Sequence, residues 1–223
     1  MKLTVTTFLT LDGVMQGPGG PDEDRTDGFQ LGGWLPAFMV PEAGAFVAEW
    51  FSHADAFLLG RRTFETFAGF WPRVTDPADP VASRLDGRPK YVVSQTLTDS
   101  RWLDTEFITG DLRTAVQAIK AAPGDEVQVH GSGTLVRALH DLDLIDEYRL
   151  WIFPVVLGTG RRLFSEGSIP SSFELIDTKA TSSGAVVHSF RASGGVSFGS
   201  FTIEGGVEQS SFSEAPHSHK INQ

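Results

Sequence analysis

The chain has 223 residues, 40% of them hydrophobic, which suits one α/β domain with a core of its own. A formal net charge of -10 argues against broad binding to nucleic acid or anionic membranes, because phosphate binding needs clustered positive charge. With no cysteine, disulfides, thiol catalysis and cysteine metal sites are excluded, and no apolar run approaches the roughly 18 residues of a membrane span.

The opening MKLTVTTFLTLDG is too polar and short for a signal peptide, so a cytoplasmic location is expected. Residues 2–9 read as a strand, with Leu3, Val5 and Phe8 as its apolar members. Residues 16–33, rich in Gly, Pro and Asp, read as a long loop. A helix is expected over 42–53, where Phe46, Val47, Trp50 and Phe51 share a face. A buried strand follows at 55–59, and a helix starts at 61–68. Residues 71–89, with four prolines, read as another loop. KYVVS at 90–94 and Phe107-Ile108-Thr109 read as strands. Asp111 is a candidate cap for a helix through 121, with Pro123 and Gly124 ending it. Strand 126–130 leads through GSG into a helix with Leu135, Val136, Leu139 and Leu142 inward. Residues 146–157 read as one long strand, and 173–179 with 185–191 as a terminal hairpin. Beyond 194, VSFGSFTIEGG has strand character and APHSHKINQ reads as a tail. Strands alternating with helices, then strands alone, predict a three-layer α/β/α domain with a mostly parallel sheet and an antiparallel C-terminal edge. The domain is expected over 1–192, with an extension at 193–223.

Three strand-to-helix junctions carry small or polar residues. In LLGRRTFETF, Gly60 precedes Arg61, Arg62 and Thr63. Helix N-termini attract anions, and guanidinium forks match phosphate oxygens. Thr63 adds a hydroxyl and a candidate cap. The competing reading pairs both arginines with surface carboxylates. In HGSGTLVRAL, Gly131 and Gly133 let a ligand approach the backbone, although Val136 breaks the G-x-G-x-x-G fingerprint. Here the plain alternative is an ordinary turn. Ser94 and Gln95 supply a hydroxyl and an amide after a strand. In a parallel sheet all three junctions fall on the carboxyl edge, where open α/β sheets bind ligands.

LLGRRTFETF, YVVSQTL, VHGSGTLVRAL and IDEYRLWIFPVVLGTGRRLF, in that order, resemble the dihydrofolate-reductase-like fold. More narrowly they resemble the C-terminal reductase domain of the bifunctional riboflavin-biosynthesis deaminase-reductase and its stand-alone relatives. TLDGVMQGPGG at 10–20 is similar to that family's opening strand and loop, so the resemblance spans roughly residues 1–192. It implies NADPH as cofactor. Gly60, Arg61, Arg62 and Thr63 would then hold phosphates, Ser94 with Gln95 would lie near the adenosine 2′-phosphate, and Gly131, Ser132, Gly133, Thr134 and Leu135 would cradle the pyrophosphate. The nicotinamide would sit near the first strand and the 154–158 segment, with Asp12, Trp34, Pro154 and Val156 on the substrate side.

Folate reductases carry an acid on the helix after the first loop. WLPAF at 34–38 is similar to the run before that acid, but the matching position falls at Phe38 or Met39, which cannot ionise. Glu42 is the nearest acid, and the departure argues against folate reduction. Asp12 is the other candidate, as substrate partner or proton shuttle, against a plain Asp-Gly turn. Trp34 reads either as a stacking platform or as a loop anchor. Trp71 and Pro72 read as packing or as shaping the pocket rim. Arg161, Arg162 and Glu166 read as loop charges, and His53, His130, His140 and His188 as scattered structural histidines. His217 and His219 lack a third partner, so no metal is expected. The composite expectation is an NADPH-dependent reductase of a small, heterocyclic substrate, riboflavin-precursor-like or pterin-like, with homodimerisation through apolar strands. The alternative is a dinucleotide-binding module without turnover.

Overall fold

The computed structural model describes residues 1–213. The APHSHKINQ tail, with His217 and His219, lies outside the described residues. Among these, an eight-stranded sheet runs in the order β4-β3-β2-β5-β1-β6-β8-β7. Its strands are β1 (Lys2–Thr10), β2 (Ala54–Gly60), β3 (Lys90–Val93), β4 (Thr105–Ile108), β5 (Glu126–Val129), β6 (Glu147–Phe153), β7 (Ser172–Ala180) and β8 (Val186–Gly194). The first six in spatial order pair parallel, and β6-β8-β7 pair antiparallel. The carboxyl ends of β1, β2, β3, β5 and β6 therefore share one edge.

Among the described residues, five α-helices cover the two faces: α1 (Pro41–His53), α2 (Arg61–Phe70), α3 (Pro80–Asp86), α4 (Leu112–Ala121) and α5 (Gly133–Asp141). On one face, Val116 and Ile119 of α4 and Leu135 and Leu139 of α5 pack on Leu3, Val5, Leu58, Val127 and Val129. On the other, Phe51, Phe64, Val81 and Leu85 pack on Phe57, Leu59 and Val92, and Trp50 meets Trp151 edge-on at 5.5 Å. Burying one large side chain of this kind stabilises the fold by about 1.5–3 kcal/mol. The expected three-layer fold with an antiparallel edge is the observed one.

Several boundaries differ from the sequence reading, each for a local reason. Residues 71–89 are not one loop. Asp79 accepts from the N–H groups of Val81 and Ala82 at 3.0 and 2.8 Å, Pro80 opens α3, and Val81, Ala82 and Leu85 are buried. The long strand at 146–157 stops at Phe153, because Pro154 has no N–H for the ladder and Val155 donates back to Phe153 at 2.8 Å. The strand read at 107–109 is Thr105–Ile108. The strand character after 194 is realised as β9 (Phe198–Glu204) paired with β10 (Val207–Ser213), a hairpin separate from the main sheet.

Candidate functional site

The junctions after β2 and β5 are locked together. The Gly60 N–H donates to the Gly131 carbonyl at 3.0 Å. A Cβ on Gly60 would stand 2.9 Å from the Ser132 nitrogen, and Gly131, at φ +127°, faces the Thr63 hydroxyl with no room for a side chain. This brings the N-termini of α2 and α5 side by side. Neither has a side-chain cap: the positions before them are Gly60 and Ser132, and the Ser132 hydroxyl makes no capping bond. The expectation that Thr63 caps α2 is corrected here, because Thr63 lies inside the helix and turns toward Gly131. Leu135 is buried under α5, and Thr134 is exposed at its first turn.

Arg61 and Arg62 are both exposed. Arg61 reaches Glu65 at 3.3 Å, an exposed i,i+4 pair of a few tenths of a kcal/mol. Arg62 donates to the Thr26 hydroxyl at 3.2 Å and lies 3.9 Å from Asp24. At the third junction, the buried Ser94 hydroxyl oxygen accepts from the N–H groups of Thr96 and Leu97 at 3.2 and 2.9 Å, and Gln95 donates to the Thr109 carbonyl at 3.0 Å. Both side chains thus shape the turn that ends β3.

The loop after β1 is tied down by charges that read in the sequence as plain loop arginines. Arg161 bonds Asp24, and also Thr26 at 2.9 Å and Asp27 at 3.1 Å. Burial pushes the Asp24 carboxyl up, but the Thr26 hydrogen bonds and the charges of Arg161 and Arg62 outweigh it and hold the group below its ordinary value. A recess of about 530 Å³ opens between this loop and residues 159–161, and no residue of 60–63 or 131–135 lines it. Arg162 donates to the Asp12 carbonyl at 2.7 Å and lies 3.3 Å from its carboxylate. Asp12 accepts from Thr10 at 2.6 Å and from the N–H groups of Leu157 and Gly158 at 3.2 and 2.9 Å. The Thr10 bond, with those N–H groups against partial burial, holds Asp12 down at about 2. A carboxyl so saturated stays ionised near neutrality and clamps the 157–158 turn.

Trp34 is 8% exposed, donates to the Gln16 carbonyl at 3.0 Å and meets Phe153 edge-on at 5.7 Å. Its ring anchors the loop. Glu42 is exposed in the first turn of α1 and makes no hydrogen bond among the described residues. Pro154 and Val156 are exposed on the segment after β6.

The family model described as RibD C-terminal domain matches residues 1–188. The chain belongs to the RibD C-terminal domain family. Its sequence is 29% identical over 189 residues to the uncharacterised protein YyaP of Bacillus subtilis, covering 83% of this chain and 92% of that one. It is 27% identical over 159 residues to YwjB of the same organism, also uncharacterised, covering 71% and 86%. Among solved structures, a putative riboflavin biosynthesis protein from Shewanella sp. PV-4 superposes with a TM-score of 0.65 at 22% identity, covering 86% of this chain and 99% of that one. A dihydrofolate reductase from Enterococcus faecalis complexed with NADP(H) gives 0.54 at 12% identity, covering 86% and 96%. These two likenesses concern the fold.

One polar network of this RibD C-terminal domain lies outside the expected site residues. Glu126, 1% exposed, binds Arg149 through two bonds of 2.7 and 3.0 Å and accepts from Thr4 at 2.8 Å. Burial pushes the Glu126 carboxyl up, but Arg149, Gln128 and Thr4 outweigh it, so it lies below its ordinary value. Gln128 donates to Glu126 and to the Trp50 carbonyl, both at 2.6 Å, and its carbonyl oxygen faces His130 at 3.1 Å. The sequence held a signal for it: EVQVH puts Glu, Gln and His on one face of a central parallel strand, and buried polar groups need partners.

Proposed function

We propose that the chain is an NADPH-dependent reductase of a small heterocyclic substrate. The observation that carries this reading is the pair of uncapped helix N-termini at Gly60 and Ser132, held together by the Gly60–Gly131 bond. Helix-start N–H groups and the helix dipoles converge there, and the glycines let the two junctions pack this closely. That donor set fits the phosphates of a dinucleotide. In this reading Gly131–Leu135 hold the pyrophosphate, Gly60–Thr63 add charge and donors, and Ser94 with Gln95 border the adenosine 2′-phosphate. Bound there, NADPH would supply a hydride. The chain's own residues orient and enclose it: Asp12 and Arg162 hold the 157–158 turn, and Trp34 anchors the loop that borders the substrate side. A homodimer stays within the proposal.

A second reading, dinucleotide binding without turnover, is favoured by one observation. Asp12 is saturated and Glu42 faces solvent, so neither acid is set to deliver a proton.

Fluorescence titration with NADPH, with NADH in parallel, tests both readings. NADPH is expected to bind more tightly, and the Arg61→Ala, Arg62→Ala double variant to lose roughly 1.5–3 kcal/mol per charged hydrogen bond. NADPH oxidation across a heterocycle panel then separates the two readings. If neither dinucleotide binds, both fail.

A further inference from the structure

The Gln128 amide has a forced orientation. Its nitrogen faces two acceptors, the Glu126 carboxylate and the Trp50 carbonyl, so the oxygen is the group that meets His130 Nε2 at 3.1 Å. An oxygen acceptor there requires the proton on Nε2. Nδ1 is then a bare lone pair in the neutral ring. It has no described partner, and the residue is half-buried rather than enclosed. The ring is stacked on Phe51 at 4.8 Å and lies 6.0 Å from Phe57 and 6.2 Å from Phe67. The residue immediately precedes Gly131.

Two further polar atoms lack partners on the same sheet face. The Thr6 hydroxyl, on a residue 3% exposed, and the Trp151 indole N–H, on a residue 0% exposed, are buried without a hydrogen bond among the described residues. Thr6 alternates with Thr4, which binds Glu126, and with Phe8, which packs on Trp151 at 5.6 Å. It lies one residue past the paired positions Val5 and Val129, beside His130. Unpaired buried polar groups are uncommon and call for an explanation.

We propose that His130 is a ligand-recognition residue whose Nδ1 accepts a hydrogen bond from an N–H or O–H donor of a flat heterocycle seated beside the Gly131 junction. The aromatic surroundings suit a planar ring, and the network back to Glu126 and Arg149 holds the imidazole in its accepting tautomer. Burial drives the ring's pKa down to about 4, which keeps the lone pair free at neutral pH. The charged groups reaching it are Glu126 and Arg149, through Gln128, while Phe51, Phe57 and Phe67 carry no charge. The inference deepens the reductase reading: only the identification of this ligand as the substrate rests on it.

The test uses nitrogen NMR of the histidine rings in the full chain without NADPH, with His130 assigned by the signal missing from His130→Phe. The probes are quinazolin-4-one, which has an N–H donor, and its 3-methyl derivative, which has none. At pH 7 His130 is expected as the Nε2-protonated tautomer, with Nδ1 shifting on addition of quinazolin-4-one and not of the methylated probe. His130→Phe should weaken quinazolin-4-one about three- to tenfold, the range of one neutral hydrogen bond. An Nδ1-protonated ring, equal response to both probes, or no response to either overturns the proposal. Because NADPH is absent, a chain that passes here but binds no dinucleotide keeps this inference and loses the reductase reading.

Discussion

Helices α3 and α4 begin differently from α2 and α5. Asp79 caps α3 through two N–H groups, and Asp111 caps α4 by accepting from Thr114 at 2.8 Å. The other pair starts at Gly60 and Ser132 with no side chain on its free donors. Leaving a good cap out costs about 1 kcal/mol. The uncapped pair start within 3.0 Å of each other, from the Gly60 nitrogen to the Gly131 oxygen. Carboxylates close the starts of α3 and α4; α1, which begins with Pro41 after Val40, also lacks a side-chain cap, and at α2 and α5 the open donors lie where a negatively charged ligand is proposed to bind.

The largest way to break this contrast is Gly60→Val. Its side chain meets the Ser132 backbone, so denaturant unfolding should show a loss of about 2–3 kcal/mol, and NADPH titration should show no binding. Ser132→Asp should convert α5 into a helix of the capped kind. Thermal unfolding is expected to be unchanged or up to about 1 kcal/mol better, while NADPH binding weakens at least about tenfold, since a carboxylate now occupies the phosphate position. Asp79→Ala is the converse: about 1 kcal/mol less stability in the same unfolding assay and unaltered NADPH affinity.

Acidity sharpens the contrast with a smaller effect. Hydrogen bonds from the Thr114 hydroxyl and N–H hold Asp111 below its ordinary 3.8. A folded-state value below the unfolded one gives stability that is full above the unfolded value and is lost as pH falls through the folded one. Urea midpoints measured from pH 5 downward should therefore fall less in Asp111→Ala than in the parent chain. The α2 and α5 starts carry no carboxylate cap, so no such loss should come from them.

Much of this was legible in the chain itself. Alternating strand and helix patterns specified the layers. Asp111 was readable as a cap because its side chain acts three residues away. The same local logic existed at Asp79-Pro80, but the density of prolines around it read as loop. Apolar residues at 154–157 extended β6 on paper, and the missing Pro154 N–H stopped it. The site was legible only in part. Gly60, Arg61, Arg62 and Gly131 stood out as junction residues. That Arg161 holds Asp24 and Asp27, residues more than 130 positions away, carried no local signature. His130 looked like one scattered histidine until β5 placed it in line with Glu126 and Gln128.

By itself, then, the sequence determined the elements, the parallel core with its antiparallel edge, and the small residues at three strand ends, because periodicity, caps and turn chemistry act within a few residues. Tertiary structure decided which ends meet, which carboxylate each arginine finds and which nitrogen of His130 carries the proton. Those outcomes depend on groups brought together across the sheet, and hydrogen bonds act only at contact distance.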